Sequence, residues 1–187
     1  MTDIVSYFTD LGVKQKDLGT FLDLLERKRI HKGQTILDEG LVENYVSFLQ
    51  TGLVRYYILK EDKEITFDFI FPHTFFCSYD SFFTRKPTQF YSTALTDCEI
   101  LRISYNDLNS LYLTCDLAKN FEKALTEKLL LRKLKRELFL LSKSPEERYN
   151  DLLSEQPRLI QEIPAKYLAT YLGVVPETLS RIRKRIS

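Results

Sequence analysis

The residues of this chain best suited to recognition chemistry stand near its end. In the run IPAKYLATYLGVVPETLSRIRKRI, Glu177, Arg181 and Lys184 follow one another at i, i+4 and i+7. On a helix this spacing puts three long polar side chains on one face. Arginine can donate two hydrogen bonds to guanine O6 and N7, and glutamate can accept from cytosine N4. The face therefore carries the groups needed to read base edges in a DNA major groove. Lys166, Thr178, Ser180, Arg183 and Arg185 are neighbouring groups able to hold phosphate oxygens. From Ala165 to Ser187 five basic residues stand against one acid, Glu177. This excess of +4 sits in a chain of net charge +1, so any attraction for a polyanion is local.

Such a face needs a scaffold behind it. Leu179, Ile182 and Ile186 recur at i, i+3 and i+7 on the opposite side of the same helix. Leu168, Ala169 and Leu172 give a preceding short helix its own inner face, and the small Ala169 lets the two helices approach. Gly173 suits the positive φ of a tight helix exit, and Pro176 suits the first turn of the next helix. The pattern predicts a helix-turn-helix whose second helix enters the major groove. A basic amphipathic hairpin with no DNA role would share the charge. The spacing of Ala169, Gly173, Leu179 and Ile182 is the more specific sign.

Upstream, SKSPEERYNDLLSEQP predicts a capped helix, with Ser144 at the N-cap, Pro145 at N1 and Glu147 at N3, stopped before Pro157. Residues 157–164 read as a connector. Between Ser104 and Leu141 there is no Gly or Pro. Leu117, Phe121, Ala124, Lys128, Leu131, Leu134, Leu138 and Leu141 keep a three-four spacing close to a heptad seam, with Lys128 as its polar member. Leu125, Leu129 and Leu130 supply a second apolar face. A helix apolar on two sides needs two partners. The chain's own β-rich part and a second copy of the chain would serve, or the helix is buried in one core. Leu117, Phe121, Ala124, Leu131, Leu134 and Leu138 are the candidate seam.

Residues 30–103 hold short runs rich in β-branched and aromatic residues, such as LVRYYIL and EITFDFIF, between turn signals. They predict an antiparallel barrel or roll. Residues 2–29 read as helical, with Leu18, Phe21, Leu22 and Leu25 in step, ending in the charged ERKR. The three cysteines are scattered, with no CxxC, and the histidines number two. This argues for a reducing compartment and against a metal or iron–sulfur centre. No nucleophile–base motif marks an enzyme. The N-terminus is not a signal peptide, and no apolar run is long enough to span a membrane. A cytoplasmic protein without cofactor is expected.

These pieces together resemble the Crp/Fnr family of bacterial transcription regulators over almost the whole chain. HKGQTILDEG is similar to the first hairpin of the family's cyclic-nucleotide-binding-type β-roll, and YVSFLQTGLVRYYILKEDKEITFDFIFP to its next strands. TDCEILRISYNDLNSL is similar to the last roll strand and the entry to the dimer helix, and PETLSRIRKRI is the most specific match to the helix-turn-helix. The resemblance implies an α+β fold. It would comprise a jelly-roll-like antiparallel β-roll sensor domain over residues 1–115, a dimerisation helix over 116–141 and a helix-turn-helix domain over 142–187. It further implies a homodimer on two-fold-symmetric double-stranded DNA, with half-sites one helical turn apart. RNA polymerase and an unknown small-molecule effector are candidate partners. In many relatives a wing follows the recognition helix. Here either the wing is dispensable, or the strand-forming run RLIQEI takes its place.

The sequence departs from the cyclic-nucleotide-binding members. They hold ribose and cyclic phosphate with a Gly-Glu pair and an arginine, and the stretch FPHTFFCSYDSFFTRKPTQFYSTA has no Gly-Glu pair. The arginine position falls near Thr88, with Arg85 out of register. A cyclic phosphate without a charge-assisted partner binds poorly, so cAMP and cGMP are not the expected effectors. No N-terminal cysteines are present to hold an oxygen-sensing cluster, and His31 and His73 are not expected to bind haem. The aromatic residues between Phe69 and Tyr91 either line an apolar pocket or fill it. Tyr79, Arg85, Tyr91 and Lys128 are the candidate effector-pocket residues. A regulatory module that binds a nucleotide or small ligand and acts on a protein partner is the second reading.

Overall fold

In a computed structural model the described residues are 2–10, 18–114, 116–155 and 157–186, the side chains of residues 2, 3, 10, 114, 116–120, 122, 124, 158 and 159 excepted. The chain runs α1 (Thr2–Asp10), α2 (Gly19–Asp23), β1 (Glu26–Ile30), β2 (Thr35–Leu37), β3 (Tyr45–Thr51), β4 (Val54–Lys60), β5 (Lys63–Ile70) and β6 (Thr74–Phe76). There follow α3 (Tyr79–Thr84), β7 (Tyr91–Ala94), β8 (Cys98–Ser104), α4 (Tyr105–Thr114) and α5 (Asp116–Ser142). The last elements are α6 (Pro145–Glu155), α7 (Pro157–Glu162), α8 (Ala165–Tyr171) and α9 (Pro176–Ile186). The fold is α+β, with an N-terminal antiparallel roll and C-terminal helices.

The strands form two four-stranded sheets, in the orders β1-β8-β3-β6 and β2-β7-β4-β5. β3 lies between β8 and β6, so its residues Val46 to Gln50 are all buried. The register puts Val46 opposite Ile103 and Phe48 opposite Leu101. Gly52 makes the turn into β4 with φ of +96°. A Cβ there would come within 2.5 Å of the Asp97 carbonyl oxygen and 2.6 Å of Cys98 Sγ. The turn therefore needs glycine for space as well as for backbone conformation.

The run ERKR, expected to close a helix, is instead strand β1. It pairs with β8 from Glu26↔Arg102 to Ile30↔Cys98. Its side chains are exposed up to Ile30, so no alternation marks it in the sequence. Arg102 donates to Glu26 Oε1 at 2.9 Å, and Arg29 pairs with Glu99 at 3.1 Å, which puts opposite charges across the strand pair.

The chain divides into two compact units. The first is Met1–Tyr56 with Phe69–Glu127, and the second is Tyr57–Asp68 with Lys128–Ser187. The boundary thus falls within α5, and the tip of the β4–β5 hairpin belongs with the C-terminal helices. In the first unit an aromatic core joins α1, α2, β3, β6 and α5. Phe121 packs on Phe75 at 4.8 Å between ring centroids, on Phe8 at 5.2 Å and on Phe21 at 5.4 Å.

In the second unit, Tyr149, Leu152, Ile163, Leu168, Ala169, Leu172, Leu179 and Ile182 are buried together on α6, α8, α9 and the α7–α8 link. α6 starts with the expected capping box. Ser144 N–H donates to Glu147 Oε2 at 2.7 Å, and Glu147 N–H donates to Ser144 Oγ at 3.3 Å. Holding that bond keeps the Glu147 carboxyl below its usual range. The segment expected to be a connector, with RLIQEI as a wing substitute, is helix α7. Pro157 opens it, as suits N1, and a helical RLIQE offers no strand edge. At the hairpin tip Glu61 and Asp62 both have positive φ, as a two-residue type I′ turn requires. The Asp68 carboxylate accepts from Arg132 at 3.0 Å and Lys133 at 3.2 Å, and the Thr66 N–H donates to Thr170 Oγ1 at 3.1 Å.

Candidate nucleic-acid interface

The α8–α9 pair is built from its turn outward. The Gly173 N–H donates to the Thr170 carbonyl and the Val174 N–H to the Ala169 carbonyl, both at 3.0 Å. These are the two bonds of a Schellman exit, and Gly173 takes the positive φ of +73° that it demands. Pro176 then opens α9, whose apolar side carries Leu179 and Ile182, both buried, and Ile186, half-buried.

The opposite side of α9 carries Glu177, Arg181 and Lys184, all exposed. Arg181 donates to Thr178 Oγ1 at 3.2 Å, one turn back on the helix. Ser180 and Arg185 are exposed as well, while Thr178 and Arg183 are half-buried. Arg185 pairs with Glu146 of α6 at 3.6 Å. Lys166 is exposed on α8, with its ammonium 4.7 Å from the Tyr167 ring.

The expected seam divides along α5. Leu131, Leu134 and Leu138 are 59%, 47% and 63% exposed, and Leu141 is exposed below them. A row of leucines left open in a single chain has the pattern of a coiled-coil face. Phe121 is the correction. It is 1% exposed and packed by its own chain, so it belongs to the core of the first unit and not to a seam. Leu125, one turn on, is buried too. Leu117 and Ala124 lie on α5, but their side chains, like all of Cys115, fall outside the described residues.

Of the candidate effector residues, Tyr79, Arg85 and Tyr91 belong to the first unit and Lys128 to the second. Arg85 caps α3 in the left-handed conformation, and its guanidinium donates to the carbonyls of Glu43 at 2.6 Å and Phe82 at 3.4 Å and to Asn44 Oδ1 at 2.5 Å. It also lies 4.0 Å over the Tyr105 ring, so it ties α3 to the loop before β3. Tyr79 stacks on Phe83, and its hydroxyl donates to the Phe75 carbonyl at 3.4 Å. Tyr91 is half-buried on β7, and Lys128 is exposed in the second unit.

At the position that corresponds to the family's phosphate-binding arginine, Thr88 is 2% exposed and its Oγ1 lies 2.8 Å from Ser78 Oγ. The Thr88 N–H donates to the Leu41 carbonyl, and its carbonyl accepts from the Gly40 N–H. Beside them, the Glu43 carboxylate accepts from the N–H groups of Tyr45 at 3.1 Å and Ser78 at 3.2 Å. Burial pushes the Glu43 carboxyl above its usual range, against those donors and the Arg85 charge. The Glu43 and Ser81 ties between the loop before β3 and α3 are the part that sequence reasoning missed. A half-buried carboxylate in a loop among many exposed ones leaves no periodic sign.

Comparison with known proteins places this architecture. Residues 27–115 match the model of the cyclic nucleotide-binding domain. No curated protein matches the chain by sequence. Among solved structures, FixK2 from Bradyrhizobium japonicum is 20% identical, with 87% of this chain and 84% of that one covered and a TM-score of 0.75. The c-di-GMP responsive global regulator CLP from Xanthomonas campestris is also 20% identical, with 92% and 91% covered and a TM-score of 0.73. The catabolite activator protein of Thermus thermophilus is 23% identical, with 94% and 84% covered and a TM-score of 0.57. No helix among the described residues is long and apolar enough to cross a membrane. Residues 27–115 are thus similar to the cyclic nucleotide-binding domain, and the chain has the fold seen in the Crp/Fnr-type regulators.

Proposed function

We propose that this protein is a cytoplasmic, DNA-binding transcription regulator that works as a homodimer and carries no enzymatic activity. α9 reads base edges with Glu177, Arg181 and Lys184, while Lys166, Thr178, Ser180, Arg183 and Arg185 lie against phosphates. Leu131, Leu134 and Leu138 pair with the same residues of a second copy. The observation that carries the reading is α9 itself, with Leu179 and Ile182 buried and Glu177, Arg181 and Lys184 exposed on the other side. Two such helices related by a two-fold axis suit a palindromic operator. The effector is not cAMP, because Thr88, engaged with Ser78, offers a cyclic phosphate no charge.

Fluorescence anisotropy tests the reading. The unaltered protein is expected to select a duplex from random-sequence DNA and to bind it more weakly as salt rises. Arg181→Ala is expected to lose about 1–3 kcal/mol of specific affinity and to relax the preference at one base pair. Binding that is indifferent to sequence in both proteins would sink it.

A further inference from the structure

The carbonyl groups at the end of α8 can be accounted for one by one. Leu168 O accepts from the Leu172 N–H at 2.9 Å, and the Schellman exit satisfies Ala169 and Thr170. Tyr171 and Leu172 remain, because helix ends leave carbonyls without an intrahelical partner. Two arginines from other helices take them. Arg136 of α5 donates through Nη2 to the Tyr171 carbonyl, and its guanidinium lies 3.8 Å over the Tyr171 ring. Arg148 of α6 donates through Nη1 to the Leu172 carbonyl at 2.5 Å.

Gly173 supplies a second, independent observation. A Cβ at Gly173 would stand 3.0 Å from Arg148 Nη1. The glycine therefore provides the left-handed turn and also leaves room for the guanidinium. Both acceptors are neutral carbonyls at the negative end of a helix, where a cation is favoured. The two donors grip consecutive carbonyls from two different helices, which fixes direction as well as position.

We propose that Arg136 and Arg148 are positioning residues for DNA reading, a two-guanidinium clamp that sets the direction in which α9 leaves α8. The inference rests on the reading of α9 as the base-contacting helix. Arg181 lies about 10 Å along from the turn at Gly173, from a rise of about 1.5 Å per residue plus the turn itself. A tilt of ~10° at the turn would shift it by about 2 Å, enough to break hydrogen bonds whose tolerance is a few tenths of an ångström. Arg136 also lies between Leu134 and Leu138 in sequence, so the same clamp ties the reading head to the leucine row of α5.

The test uses the full chain with Arg136→Gln, Arg148→Gln and the charge-keeping Arg148→Lys. Two probes are used, a duplex selected from random DNA by the unaltered protein and a shuffled duplex of equal composition. Each glutamine variant is expected to lose about tenfold or more on the selected duplex and less than about twofold on the shuffled one. The salt slope should be unchanged, because no phosphate contact is removed. Arg148→Lys should recover part of the loss. In the DNA-free protein, amide hydrogen exchange over residues 173–179 should quicken while that of α6 stays as it was. An equal loss on both duplexes, or unchanged exchange over 173–179, overturns the clamp. If the unaltered protein selects no duplex, the DNA reading fails on its own, and the exchange measurement decides whether the clamp exists. If a glutamine variant does not fold, Arg148→Lys decides, since full affinity and unchanged exchange there overturn the proposal.

Discussion

In the first unit the hydroxyls of Ser78 and Thr88 face each other, Glu43 accepts from backbone N–H groups, and Arg85 donates to two carbonyls and an amide oxygen of its own chain. In the second unit Glu177, Arg181 and Lys184 stand exposed on α9. One set of polar groups holds the fold together from inside, and the other faces outward. A ligand at the first set would have to displace existing hydrogen bonds and their geometry. A partner at the second displaces water. The same contrast runs along α5, where Phe121 and Leu125 are buried and Leu131, Leu134 and Leu138 are open.

The largest effect expected is at Phe121. Removing the ring leaves a cavity among Phe8, Phe21 and Phe75, and Phe121→Ala should cost about 3–5 kcal/mol of unfolding free energy. Leu138→Ala, nearly five turns along the same helix, should barely change the stability of a single chain. It should instead weaken self-association by about 2 kcal/mol or more, the loss that marks a hot spot at an interface. Urea unfolding and sedimentation velocity separate the two. If Leu138→Ala shifts unfolding as much as Phe121→Ala and leaves the oligomer intact, the open half of α5 is core after all.

That pair of residues also shows how far the sequence could be followed. The three-four spacing of α5 was legible, but spacing alone cannot say which stripe the chain covers by itself. Phe121 and Leu131 are equivalent in the pattern and opposite in burial. The capping box of α6, the glycine exit at Gly173 and the two faces of α9 were legible because they depend on neighbours in sequence. The strand β1 was not, since every side chain from Glu26 to Arg29 is charged and only the distant pairing with β8 makes it a strand. α7 was misread because RLIQE is short and suits a helix or a strand. The Arg136 and Arg148 clamp was hidden for another reason: its acceptors are carbonyls, which every residue has.

Gly52 and Gly173 sharpen the comparison at the level of the backbone. At Gly52 an added Cβ meets backbone atoms of Asp97 and Cys98, which cannot move cheaply, and φ is +96°. Gly52→Ala should therefore cost about 2–4 kcal/mol, from the left-handed strain plus overpacking. At Gly173 an added Cβ meets side-chain atoms, Arg148 Nη1 at 3.0 Å and Leu140 Cδ2 at 3.9 Å. Gly173→Ala should cost about 1–2 kcal/mol of stability, mostly strain. Thermal unfolding of the two variants side by side checks the order, and a larger loss at Gly173 would reverse it.

A smaller effect is expected on the outward-facing set. Lys166→Ala should weaken binding to every duplex alike, by well under the Arg181→Ala loss on a selected one. The slope of log affinity against log salt should fall by about 1 if the ammonium touches a phosphate. A changed sequence preference with an unchanged slope would mean that Lys166 reads bases instead.

The smallest effect lies in the inward-facing set and depends on pH. Glu43 is pushed above its usual carboxylate range by burial, and the N–H groups of Tyr45, Ser78 and Asn44 and the Arg85 charge only partly offset this. Burial, together with the Glu43 and Asp80 charges, holds the nearby Cys77 thiol well above its usual range. A carboxyl raised in the folded state binds its proton more tightly there than in the unfolded chain. Its contribution to stability is then fully present below the unfolded value, near 4.3, and is lost as pH rises through the folded value. Glu147, whose carboxyl is lowered, works in the opposite sense but is common to both proteins compared. Glu43→Gln removes the titration while keeping one acceptor oxygen for a backbone donor. The gap in unfolding free energy between Glu43→Gln and the unaltered protein should therefore move in the variant's favour between pH 5 and pH 7.5. A gap that stays constant across that window in urea titrations would show that Glu43 keeps its ordinary affinity for protons, and that the closed network around Ser78 and Thr88 holds without the strain of a buried charge.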